Sequence, residues 1–241
     1  MPEMECACID SWKKYCNEYE IIRWDESNFD ISENRYVREA YNAKKWAFVS
    51  DYVRLWAVLH QGGIYMDTDV EVIKPLDRFL QHRAFSGFES DTSVSTGIMA
   101  CEKGFPLFTS FLDEYDRAMF ILKNGKYDET TNVVRITKEC MERGLIQNNT
   151  YQEIDGFALY PSEYFCPMDA SGTVNITDNT YTIHHFTASW KTENQRRAFK
   201  LYQSTLRKHG NDAANRLWMR MLSRYYRVGI RQMFDFKHDK R

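Results

Sequence analysis

No apolar run in the 241 residues approaches the ~20 that a bilayer crossing requires. The opening Met1-Pro2-Glu3-Met4-Glu5 lacks the basic and apolar stretches of an export signal, so a cytosolic location is expected. Cysteines paired at metal-binding spacing are also missing. The six cysteines are scattered, and Cys6-x-Cys8 has neither the two-residue spacer nor the second pair of a structural zinc site. Reduced, mostly buried thiols are the expectation for such a chain. There is no internal repeat, no low-complexity stretch and no Gly-rich phosphate loop with a partnered Lys. That last absence argues against a nucleotidyltransferase.

What is present is enough apolar material for a sizeable core. Hydrophobic residues make up 43% and aromatics 15%, which excludes a disordered chain and fits a packed fold with a stacking-rich pocket. The net charge of −2 hides an asymmetry. Residues 207–241 hold ten Lys and Arg against three Asp, a balance of +7 that leaves −9 for residues 1–206. A neutral total with a basic tail points to a localised partner and away from nucleic acid.

Alternating helix-period and strand-period segments predict an α/β domain with a mixed, mainly parallel sheet. Met4, Cys8, Ile9 and Trp12 recur at helical spacing up to Tyr15. Residues 19–24 read as a strand and 36–44 as a helix. Residues 46–61 give the clearest helix, with Phe48, Tyr52, Leu55, Val58 and Leu59 as one apolar stripe and Gly62-Gly63 as the left-handed stop. Short strands are expected at 64–66 and 70–73, then at 84–88, 95–100, 156–160 and 181–186. Helices are expected at 106–124, 131–143, 196–208 and 212–234.

Two features within this pattern carry chemistry. The first is Asp67-Thr68-Asp69, directly after a buried strand. A strand delivers such side chains to the sheet edge where open α/β folds bind ligands, and alternate residues of an extended chain point the same way. Hard oxygen ligands of this kind suit Mg²⁺ or Mn²⁺ with positions left for phosphate oxygens. Alone, an Asp-x-Asp reads equally well as a turn with solvated carboxylates. The second feature is Asp51 and Arg54, three residues apart and therefore on one helix face. The Asp can accept from sugar hydroxyls, and the Arg offers a planar fork to phosphate or sugar oxygens. An intrahelical ion pair is the plainer alternative.

Taken together and in order, Ser50-Asp51-x-x-Arg54-Leu55, Gly62-Gly63-Ile64-Tyr65 and Asp67-Thr68-Asp69 closely resemble the sugar-transferase segment of family 32 glycosyltransferases. That family includes bacterial capsular and lipopolysaccharide transferases and yeast α-mannosyltransferases, with the large clostridial toxins as distant relatives. A looser similarity runs from about Ile9 to Trp190 through Ser11-Trp12-Lys13-Lys14-Tyr15, Ala43-Lys44-Lys45-Trp46-Ala47 and His184-His185-Phe186-x-x-Ser189-Trp190.

The resemblance implies a GT-A fold, a UDP- or GDP-sugar donor, a divalent metal (Mn²⁺ or Mg²⁺) and hexose transfer with retention to a polysaccharide or lipid-linked glycan. On that basis Asp51, Arg54, Asp67 and Asp69 are the expected catalytic residues. Asp51, Arg54, Tyr65, Asp67, Ser189 and Trp190 would contact the donor. Asp69, with Asp67 and His185, would hold the metal. His184 and His185 face opposite sides of an expected strand, and His185 is chosen here as the one that reaches the site.

Members of the family usually begin with a strand ahead of the first helix, whereas the sequence here opens at that helix; an upstream start is the expectation, the donor-base contacts are not legible, and a catalytically impaired nucleotide-sugar-binding protein is the alternative reading. No general base stands out. A retaining transfer can do without one, because the leaving diphosphate can take the acceptor's proton. Residues 1–209 are expected to form the transferase domain. Residues 210–241 are expected to form a basic amphipathic helix, whose Arg216, Arg220, Arg224, Arg227 and Arg231 suit either an anionic membrane surface or a solvated face on a packed helix.

Overall fold

The computed structural model describes residues 2–187 and 193–228, with side chains up to 221. The chain groups into two compact units, Met1–Pro167 with Asn175–Phe186, and Met168–Val174 with Thr187–Arg241.

In the first unit the element order is α1 (Glu3–Tyr15), α2 (Arg35–Asn42), α3 (Trp46–Gln61), β1 (Gly63–Met66), β2 (Val70–Val72), a 3-10 turn (Asp77–Gln81), β3 (Ala84–Gly87), β4 (Ile98–Cys101), α4 (Pro106–Arg117), α5 (Asn132–Glu142), β5 (Gln152–Ile154), β6 (Phe157–Tyr160), α6 (Ser162–Phe165) and β7 (Thr182–His184). The main sheet has the order β1-β4-β3-β6-β5, and β2 pairs with β7 in a separate two-stranded sheet.

Strand alternation splits the core into two layers. Ala84, Met99, Cys101, Phe157 and Leu159 pack on one face with the stripe of α3 and with residues of α2, α4 and α5. Phe85, Ile98, Ala100, Ala158 and Tyr160 point the other way, toward Trp12 of α1, Val72 of β2, Phe79 and Phe165. Successive residues of a strand face opposite sides, so four-residue strands supply both layers. Leu55, at the centre of the α3 stripe, is fully buried. Trp12 ties α1 to the small sheet through a 2.6 Å hydrogen bond from its indole N–H to the Val70 carbonyl.

Three expectations from the sequence need correction. The main sheet is mixed but not mainly parallel: β3 and β6 run parallel, whereas β1 with β4, β3 with β4 and β5 with β6 are antiparallel. Residues 19–24 form no strand. The helix expected to reach 124 ends at Arg117, while β5, α6 and the 3-10 turn have no counterpart in the sequence reading. By contrast, α3 has the bounds its periodicity predicts. It ends because Gly62 adopts φ +76, with the Lys103 amide nitrogen only 3.1 Å from where a side chain would begin. A left-handed residue stops the helix, and only Gly fits there without strain.

The second unit contains α7 (Glu193–Val228), broken at Gly210 where φ is 77° and ψ 178°. Its two arms pack through Ala198 and Leu201 against Leu217 and Met221. The side chains of Arg224 and Arg227, and all of Arg231, lie outside the described residues, as do Ser189 and Trp190. Among the described residues no helix is long and apolar enough to cross a membrane.

Candidate metal and donor site

Helix α3, strand β1 and the β2–β7 ribbon converge on a cluster of charged groups. Arg54 is 6% exposed and reaches two carboxylates at once. Its Nη2 lies 3.2 Å from Asp51 Oδ1 and 3.2 Å from Asp67 Oδ1. Nη1 donates to the Thr96 carbonyl at 2.7 Å and lies 3.3 Å from Asp67 Oδ2. The Tyr65 ring centroid sits 4.9 Å from the guanidinium carbon, and the Tyr65 hydroxyl donates to Asp67 Oδ1 at 2.6 Å. Burial alone would discourage the charge on Arg54, yet Asp67 and Asp51 more than compensate and hold it firmly cationic.

Asp51 is buried behind this clamp. Its Oδ2 accepts from the backbone N–H of Asn132 at 3.0 Å, while the Asn132 amide donates to the Asp51 carbonyl at 3.1 Å and to the Tyr115 hydroxyl at 2.9 Å. Asn132 is the first residue of α5, so a helix N-terminus meets the carboxylate, a favourable electrostatic match. Burial pushes the Asp51 carboxyl up from its usual range, against the opposing pull of Arg54 and the Asn132 N–H. Both Asp51 oxygens are thus engaged within the protein. Asn132 and Thr96 had no signal in the sequence, because each reaches the site from a distant part of the chain.

Asp67 and Asp69 are brought together by a turn, not by the extended alternation expected of them. The Asp67 N–H donates to the Gly97 carbonyl at 2.8 Å, and the Val70 N–H donates back to the Asp67 carbonyl at 3.0 Å. Beyond the turn, β2 pairs antiparallel with β7 in a register that sets Val70 opposite His184. Nε2 of His184 is then 3.3 Å from Asp69 Oδ1. Single ligand atoms of Asp67, Asp69 and His184 all lie within 4.8 Å of one another.

The structure therefore brings His184, not His185, to the two carboxylates. The His185 ring lies on the other side, with Nε2 2.9 Å from Glu71 Oε2, as strand alternation demands. Burial would lower the pKa of His184, but Asp69, Asp67 and Glu89 outweigh it and raise the value. The His184 ring stacks on Phe186 at 3.9 Å between centroids. Gly97 packs against its opposite edge, where a Cβ would sit 2.6 Å from Nδ1. That Nδ1 is buried and has no hydrogen-bond partner among the described residues.

These residues fit a divalent cation. Two carboxylates and an imidazole are donors that Mn²⁺ and its neighbours accept, and an octahedral ion with bonds of ~2.1 Å sets its donors ~3.0–4.2 Å apart, so a small inward movement of these side chains would close the trio on one ion. The local charge agrees. Asp51 and Asp67 contact the Arg54 guanidinium and Asp69 contacts His184, so carboxylates outnumber the fixed cation in this cluster.

Similarity to known proteins places this geometry in a class. Residues 2–86 match the family described as the glycosyltransferase sugar-binding region containing the DXD motif. That span runs from α1 into β3, so it includes Asp51, Arg54, Asp67 and Asp69 but not His184. Among curated proteins, inositol phosphoceramide mannosyltransferase 3 of Schizosaccharomyces pombe (strain 972 / ATCC 24843) is 28% identical over 122 residues, covering 47% of this chain. The match takes in only 32% of that protein's length. No solved structure matches the chain. Both similarities support a glycosyltransferase.

Proposed function

We propose that this chain is a metal-dependent retaining glycosyltransferase that moves a hexose from a UDP- or GDP-sugar to a polysaccharide or lipid-linked glycan. The observation that carries the reading is the convergence of Asp67, Asp69 and His184 beside the Arg54 clamp. Asp67, Asp69 and His184 would hold Mn²⁺ or Mg²⁺, which when bound stabilises the negative charge of the departing diphosphate.

The chain's own groups supply the rest. Arg54 fixes Asp67 from one side and the Tyr65 hydroxyl orients the same carboxylate from the other, so Asp67 is held in place before any donor arrives. Asp51 acts through Arg54: pinned by Asn132, it keeps the guanidinium aligned and partly neutral to its surroundings. Ser189 and Trp190 remain donor contacts by resemblance, and His185 supports the β2–β7 ribbon through Glu71 in place of a metal role. The yeast relative is named an inositol phosphoceramide mannosyltransferase, which makes a mannose donor and a lipid acceptor the first combination to examine. The basic stretch 207–241 is suited to holding the enzyme at an anionic surface where such acceptors lie.

The test is incubation of the protein with Mn²⁺ and a panel of UDP- and GDP-sugars, with release of nucleoside diphosphate as the readout. Release from one donor, abolished by EDTA and by Asp69→Ala with an unchanged circular dichroism spectrum, is the expected result. Metal-independent release contradicts the role of the cluster. Donor binding without release in the wild type points instead to an impaired nucleotide-sugar-binding protein.

A further inference from the structure

The connection between α4 and α5 carries a small hairpin that the metal and donor cluster does not use. Ile121 bridges Tyr127 in antiparallel fashion, and the Leu122 N–H donates to the Lys126 carbonyl at 2.8 Å. The Asp128 N–H donates to the Phe120 carbonyl at 2.8 Å. Its base is fixed in the core. Phe120 is fully buried, packs on Phe48 of α3 and Tyr36 of α2, and stacks with Tyr127 at 5.1 Å between centroids. The Ile121 N–H is held by Glu39 Oε2 at 2.8 Å.

The tip has the opposite character. All seven residues from Ile121 to Tyr127 are exposed, reading Ile-Leu-Lys-Asn-Gly-Lys-Tyr. Lys45 joins this tip to Trp46 at the start of α3, its ammonium 5.3 Å from the centre of the Tyr127 ring. Ile121, Leu122, Tyr127 and Trp46 keep 37–51% of their surface exposed. The carboxylates nearby are already engaged, Glu39 by Arg35, Glu129 by Lys45 and Asp128 by Arg135. Lys44, Lys123 and Lys126 make no ion pair with any described residue. The product is an apolar tip in a cationic rim on a rigid base.

Shape and charge select its partner. A hairpin tip is narrow and convex, whereas a stable protein contact takes ~800 Å² from each side. Single exposed apolar side chains are ordinary, but a rimmed group of them marks a contact surface. Aliphatic side chains that enter the acyl boundary, aromatic rings at headgroup depth and lysines against phosphates are what an anionic lipid surface accepts.

The hairpin also lies at the right end of the fold. Val58 and Leu59 of α3 accept from Cys101 and Gly104 near one end of β1, while Arg54 reaches Asp67 at the other. The helix therefore runs on past the sheet edge where Asp67 emerges. Trp46, eight residues before Arg54, is about 12 Å further along the axis.

We infer that Trp46 and the 120–127 hairpin seat the protein on an anionic lipid surface, with the sheet edge that carries the cluster facing it. This surface is distinct from the basic stretch 207–241. The seating stands on shape and charge alone. Delivery of a lipid-linked acceptor to the cluster rests on the glycosyltransferase reading above.

The experiment measures flotation of the full chain with vesicles of phosphatidylcholine, alone or with about one-third phosphatidylglycerol. Wild type should bind the anionic vesicles and not the neutral ones. Ile121→Ser/Leu122→Ser and Lys123→Gln/Lys126→Gln should each weaken that binding on the order of tenfold. Both should keep the wild-type unfolding midpoint and, without vesicles, the wild-type rate of nucleotide release. A nitroxide on Leu122→Cys, in a Cys6→Ser background, should gain contact with oxygen and lose it with an aqueous nickel chelate when vesicles are added.

Wild-type flotation of both double variants overturns the inference and assigns any lipid contact to other residues. A nitroxide that stays in water, equal binding to neutral vesicles, or no binding by the wild type overturns it too. So does a wild-type dimer that the hairpin variants dissociate, which makes the patch a protein interface. If the wild type floats with anionic vesicles but releases no nucleotide from any donor, the glycosyltransferase reading fails and the lipid contact stands.

Discussion

The two sides of the cluster are built differently. On the side of α3, β1 and α5, Asp51, Arg54, Tyr65 and Asp67 hold one another in a closed network of ion pairs and hydrogen bonds. On the side of β7 and the 88–97 hairpin, His184 keeps a buried ring nitrogen without a hydrogen-bond partner among the described residues. The first side holds its shape through these internal contacts, although Asn132 Oδ1 on it has no hydrogen-bond partner among the described residues and Asp67 also faces the candidate ion site. The second is under-satisfied, which is costly in a fold and is how a surface prepared for other molecules looks. Preorganisation and reception are thus separated across a few ångströms.

Breaking the closed side should show first in stability. Arg54→Met leaves Asp51 and Asp67 buried without their shared cation, and the expected loss is about 3–5 kcal/mol in urea unfolding. A loss under 1 kcal/mol would mean that water already screens this pair. Asp69→Ala, at the junction of the two sides, should lower nucleotide release on the order of 10²–10³-fold while the unfolding midpoint hardly moves. A matched loss of stability and activity would remove the distinction between a structural and a receptive side.

Gly97→Ala probes the receptive side directly. Its Cβ would start 2.6 Å from His184 Nδ1, so the ring must shift, and Mn²⁺ affinity should fall about 10–100-fold by calorimetry. Wild-type affinity would show that His184 has no part in holding the ion.

The smallest effect lies outside the cluster, in the buried thiols. Burial raises Cys101 and Cys140 to about 12 and Cys8 to about 11, from an ordinary value of 9.0. These groups stay protonated in the native state while the unfolded chain ionises. Stability should be fully present below pH 9 and decline progressively between pH 9 and 12. Thiol labelling at pH 8 should be fast at exposed Cys6 and slow at the buried five until denaturant is added.

How far the sequence could be read follows the same division. The closed side is mostly local: the α3 stripe, the Gly62 stop and the spacing of Asp51, Arg54, Asp67 and Asp69 fall within the twenty-two residues 48–69, with Asn132 and Thr96 reaching in from elsewhere. The receptive side is assembled from afar. Whether His184 or His185 faces the site depends on the register of β7 against β2, more than a hundred residues upstream, and adjacent residues of a strand offer no hint of which is which. The sheet is mixed as expected, and it departs from the mainly parallel expectation for a related reason. Alternating helices and strands suggest crossovers, but β1–β4 and β3–β4 close in antiparallel fashion around the 88–97 hairpin. Residues 19–24 have strand composition, and no neighbouring strand pairs with them.

The central claim is that Asp67, Asp69 and His184 grip one divalent cation. Titration of Mn²⁺ followed by electron paramagnetic resonance, on wild type, Asp69→Asn and His184→Ala, tests it without any knowledge of donor or acceptor. One bound ion per wild-type chain, with affinity reduced at least ~tenfold in each variant, is the predicted result. Wild-type affinity in both variants, or no bound ion in the wild type, would contradict it.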